Sequence, residues 1–123
     1  MLHEFKRVRQ IPNEGFRRWF TDDTYDLYVW YPDSAMRSIT GFQLCYEKKG
    51  RQKALTWNMG KGFIHTAIDD GEGSPLKNLT PILVADGSFA KHEVISGFQR
   101  AARLLDPELV KFVLATVETY REA

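Results

Sequence analysis

His65 is the only one of the three histidines that falls inside a stretch with strand character, which makes it the first candidate for general base work. Asp69 lies four residues on, and strand alternation puts both residues on one face with Ala67 between them. A strand rises about 3.3 Å per residue, so their Cα atoms stand about 13 Å apart and the pair needs a third group from an adjacent strand. Carboxylates follow at once in Asp69-Asp70-Gly71-Glu72, and Asp86-Gly87 repeats the pattern of an acid at a strand end. If both strands run the same way, Asp69 and Asp86 share a rim, where paired carboxylates do acid–base work or hold magnesium. That is one expectation: a small hydrolase or metal-assisted enzyme using His65, Asp69 and Asp86. Its plain competitor is a pair of Asp-Gly turns beside a histidine satisfied by a backbone carbonyl.

Other chemistry is excluded more firmly. Cys45 is the single cysteine, so neither an intramolecular disulfide nor a cysteine-based zinc site can form. It shares a strand face with Gln43 and Glu47, and reads as a small, buried, inert thiol. Asp22, Asp23 and Asp26 lack the glycine-bearing loop of a calcium site and read as solvated turn residues. Gly60, Gly62, Gly71 and Gly73 sit in no strand–turn–helix setting, so they form no phosphate cradle. No Gly-x-Ser-x-Gly elbow or His-Glu-x-x-His occurs. No cofactor and no metal are expected.

The aromatic residues carry the main functional clue. Of 16 in the chain, 11 lie between Phe16 and Phe63. Alternation through Tyr25–Tyr31 places Tyr25, Leu27, Val29 and Tyr31 on one face and Asp26, Tyr28 and Trp30 on the other. Both faces are partly apolar, whereas an antiparallel sheet with one wet face alternates cleanly. A second copy of the chain, a small-molecule ligand or a curl of the sheet itself must cover the extra face. A ligand is expected among Tyr28, Trp30, Trp57 and His65. Lys6, Arg7, Arg9, Arg17 and Arg18 around Phe16, Trp19 and Phe20 would suit stacked single-stranded bases. Residues 20–33, however, hold four aspartates and no Lys or Arg, and such a hairpin repels phosphate, so nucleic acid is disfavoured as a partner.

These side chains must be positioned by a sheet and two helices. Strands are expected over Phe16–Phe20, Tyr25–Tyr31, Ile39–Glu47, Lys53–Met59 and Phe63–Asp69, with a sixth over Leu79–Val84. Short turns such as Pro32-Asp33-Ser34 and Gly60-Lys61-Gly62 join them, which favours an antiparallel meander. Register is not readable from sequence, so the meander of five to six strands is open, curled or barrel-like. Ser88 would cap a helix to about Leu105, with an apolar stripe of Val94, Ile95, Phe98, Ala101, Ala102 and Leu105. Gly97 interrupts that helix at a cost of roughly 1 kcal/mol against Ala, which hints at a close contact. Asp106-Pro107-Glu108 is a strong start signal for a second helix to about Arg121. Between Leu109 and Val117 only Lys111 and Thr116 are polar, so this helix is either sandwiched or covered by a second copy.

The class is therefore α+β, a single domain over 1–123, with 1–87 mainly β and 88–123 two helices. Seventeen basic against sixteen acidic residues leave a net charge of +1, which carries no electrostatic footprint for nucleic acid. No apolar run approaches a membrane span, and Met1 to Gln10 has no signal-peptide h-region, so a cytoplasmic location is expected. The favoured reading is a cytoplasmic binding or interaction domain, homodimeric, with an aromatic-lined sheet face.

Overall fold

The computed structural model describes residues 1–50, 52–69, 82–85 and 89–120, with the side chains of 68, 69 and 82–85 excepted. Seven strands form one sheet: β1 (His3–Phe5), β2 (Phe16–Thr21), β3 (Asp26–Tyr31), β4 (Gly41–Tyr46), β5 (Lys53–Asn58), β6 (Gly62–Asp69) and β7 (Ile82–Ala85). Their order in the sheet is their order in the chain, every neighbouring pair is antiparallel, and β1 and β7 are the outermost strands. Helices α1 (Lys91–Ala101) and α2 (Pro107–Glu118) follow. This is the expected α+β meander, not closed into a barrel, with one strand added at the N-terminus. The short mixed triplet His3-Glu4-Phe5 has too few residues to show a period of its own and is held by its partner β2.

Both helices lie on one face of the sheet. Leu27, Val29, Phe42, Leu44 and Leu55 point to that face and are all at most 1% exposed. They meet Val94 and Phe98 of α1 and Leu109, Val113 and Val117 of α2. Burial on this scale is the main stabilising term, worth about 1.5–3 kcal/mol for each large apolar side chain. The broad apolar stripe of α2 divides: one edge enters this core, while Val110 and Leu114 are only half-buried on the side toward α1.

The described helices are shorter than expected, α1 at both ends and α2 at its C-terminal end. α1 begins at Lys91 with Ala90 in the capping position and no side-chain cap; Ser88 lies outside the described residues. The helix stops at Ala101, and a short turn leads to Asp106, whose carboxylate accepts from the Glu108 amide at 3.1 Å with Pro107 opening α2. Lys91 clasps the other end of α2, donating to the carbonyls of Glu118 and Tyr120 at 2.6 and 3.2 Å. A cation there also complements the negative end of the helix dipole.

Gly97 is explained by packing. A Cβ at that position would overlap the Tyr25 hydroxyl, which rests against the α1 backbone while the Tyr25 ring meets Phe98 edge-on. At the sheet edge, β1 covers only the distal half of β2. Beyond it the side chain of Gln10 pairs with Arg17 as a strand would, accepting from the Arg17 amide and donating to its carbonyl, both at 2.8 Å.

Candidate functional site

The register turns the alternation of single strands into rows across the sheet. On the face away from the helices one row reads Phe5, Trp19, Tyr28, Gln43, Thr56, Ile64, from β1 to β6. Its first three members form a ladder: Phe5 and Trp19 rings are 4.9 Å apart, and Trp19 and Tyr28 stack at 5.8 Å with planes 7° apart. Trp30, one row over, stacks on Tyr28 at 6.2 Å, and Arg17 stands opposite Trp30 in the register. Gln43 donates to Thr56 at 3.0 Å, which links the ladder to the far side of the row. The ends of the row are open, with Phe5 42% and Ile64 62% exposed.

Asp26 holds the ladder in place. It is 8% exposed, so it is not the solvated turn residue that the sequence implies. Three donors converge on its Oδ1: the Trp19 indole at 3.0 Å, the Thr21 hydroxyl at 2.6 Å and Lys48 at 3.2 Å. A buried carboxylate requires such compensation, and here the compensation fixes the Trp19 ring. Cys45 sits across from Asp26, 2% exposed, and its thiol is pushed up to about 12 by burial first and by the Asp26 charge second. The Tyr28 hydroxyl is also raised, again by burial and then by Asp26.

His65 points to the opposite face. It is 7% exposed, and its Nε2 lies 2.5 Å from the Tyr46 hydroxyl. The Tyr46 and Phe89 rings pack on it at 6.0 and 5.2 Å, and Phe89 meets Tyr120, which meets Phe63. Among the described residues, these rings close around His65. Asp69 ends β6, its side chain outside the described residues, and Asp86 lies outside them too. β6 and β7 run antiparallel, with Asp69 opposite Ile82 and Thr66 opposite Ala85. The parallel arrangement that would give Asp69 and Asp86 a common rim is therefore not formed.

The four residues expected around one ligand divide between the faces. Tyr28 and Trp30 belong to the outer ladder. Trp57 and His65 are on the helix side, where Trp57 packs on Phe42 and Phe112. Alternation within one strand fixes a residue's side of that strand, but only register says which sides of different strands coincide. For the same reason Phe5, Ile64 and Tyr46 gave no signal: each acquires its role from a partner on another strand.

Among the described residues no three His, Cys, Asp or Glu side chains gather as metal ligands, and no helix is long and apolar enough to cross a membrane. No protein-family model, curated protein or solved structure matches the chain.

Proposed function

We propose that the chain is a small cytoplasmic interaction domain that works as a homodimer through the outer face of its sheet. The observation that carries this reading is the row from Phe5 to Ile64, exposed at both ends and unobstructed by either helix. Six strands make the row roughly 24 Å long at the usual spacing between strands. One half of it is a rigid stack of Phe5, Trp19 and Tyr28, and large aromatics with few rotamers lose little entropy on docking. A two-fold contact sets the ladder end of one row against the aliphatic end of its copy, so that Phe5 meets the partner's Ile64. The net charge of +1 offers little repulsion between copies.

Light scattering across micromolar concentrations tests the proposal. The expected mass is twice 14.2 kDa, falling to that of one chain in Ile64→Lys, a substitution at an exposed position that leaves the core intact. A native chain that stays at 14.2 kDa up to the highest soluble concentration would defeat the dimer. A dimer that survives Ile64→Lys and Phe5→Glu together would place the contact elsewhere.

A further inference from the structure

The helix side of the molecule carries a second feature, independent of the outer face. Where α2 begins, it stands away from the end of the sheet and leaves a cleft of about 600 Å³. Trp57, Phe112, Leu109 and Ile39 give it apolar walls. Met36 and Met59 form its lips, 43% and 60% exposed. A volume of this size suits a small organic molecule, and polarizable thioethers adapt to such a guest.

The cleft is built rather than incidental. Met36 closes a turn begun by Asp33 and holds φ at 54°, a left-handed conformation that an unbranched non-glycine residue adopts at a cost of about 1 kcal/mol or more. The segment behind it is fastened at two points, with the Thr40 amide donating to Trp30 and the Met59 amide donating to Thr40, both at 2.9 Å. The Trp57 ring is fixed between Phe42 and Phe112 at 5.7 and 5.6 Å. Lips and walls are thus set before any ligand arrives.

The rim selects charge. Asp106, the cap of α2, and Glu108 in its first turn stand on it, as does Arg37 from the loop before β4. Among the described residues neither Glu108 nor Arg37 has an ion-pair partner. The N-terminus of a helix contributes about half a positive charge, so that half-charge and Arg37 together do not cancel two carboxylates. The rim is net negative above an indole and a phenyl ring, and both features favour a cation. We infer that this cleft is a binding site for a small organic amine, whose flat apolar body lies against the wall made by the packed Trp57 and Phe112 rings with its ammonium at Glu108.

Phenethylamine, phenethyl alcohol and phenylacetate share one skeleton and differ in charge, which makes them suitable probes. Calorimetry is expected to give one saturable site per chain for the amine, several-fold tighter than for the alcohol or the acid. The indole N–H resonance of Trp57 should shift, while those of Trp19 and Trp30 stay in place. Glu108→Gln should weaken the amine roughly two- to fivefold and Arg37→Gln strengthen it by a similar factor, the range of partly exposed ion pairs. Both positions are exposed, so both variants should fold. The inference is overturned if no probe saturates, if the acid or alcohol binds as tightly as the amine, if Trp19 or Trp30 shifts in place of Trp57, or if both variants leave the amine's affinity unchanged.

Discussion

Cys45 and Asp26 face each other across β3 and β4, and each decides what the other can do. Three donors compensate the carboxylate, and the Cys45 thiol beside it is held back from ionising by burial first and by the neighbouring Asp26 second. A thiol reagent at about pH 8 should leave the native protein unlabelled and react at once after denaturation, because the thiolate is the nucleophile. The same shift fixes a pH dependence. The folded thiol ionises near 12 and the unfolded one near 9.0, so between these values the unfolded chain has lost a proton that the folded chain retains. Stability is therefore undiminished by this group below about pH 9 and falls as pH rises toward 12. Chemical denaturation of the native protein and Cys45→Ala along that range checks the sign: the fall should be shallower in the variant. The inert character of Cys45 is legible in the sequence, since a lone cysteine in an apolar strand is usually buried. The burial of Asp26 is not. Three acids close together read as a turn, and only pairing with β4 and the reach of Lys48 take one of them out of water.

At the scale of elements, the two helices illustrate signals of different strength. Asp106-Pro107-Glu108 states a helix start completely, in cap, first position and dipole, and α2 begins there. Asp106→Ala should lower stability by about 1 kcal/mol, measured by urea denaturation, since the Glu108 amide loses its acceptor. α1 has no such cap, and its N-terminus falls three residues after the serine that would have supplied one. Its placement is tertiary instead: Val94 and Phe98 dock on the sheet and Gly97 admits the Tyr25 hydroxyl. Helix propensity alone favours Ala over Gly by about 1 kcal/mol, yet Gly97→Ala should destabilise by roughly 1–3 kcal/mol because the contact is overpacked. Removing the hydroxyl with Tyr25→Phe should recover part of that loss in the double variant, and strictly additive effects would contradict the contact. The odd glycine is visible in the sequence as an anomaly. Its cause is a side chain more than seventy residues away, which no local pattern encodes.

For the whole molecule, the meander is readable because turn residues separate each strand from the next, most tightly from β2 to β3 and from β5 to β6, and each strand alternates. Order in the chain then becomes order in space. Strand β1 escaped because three mixed residues have no period, and the division of Tyr28 and Trp30 from Trp57 and His65 escaped because it depends on register. The excess of rings on both faces, by contrast, was legible from composition and spacing alone. The two faces answer it differently: on one side helices close over most of the apolar surface, and on the other the rings stack on one another and remain half-open.

Gln10 bears on how such a molecule can meet its own kind. Exposed edges invite lateral growth, one chain annealing to the next without limit. A single side-chain amide occupies the berth beside Arg17, and the stub of β1 shelters the remainder of that border. The length of β2 that β1 leaves uncovered is thereby denied to a strand from another chain.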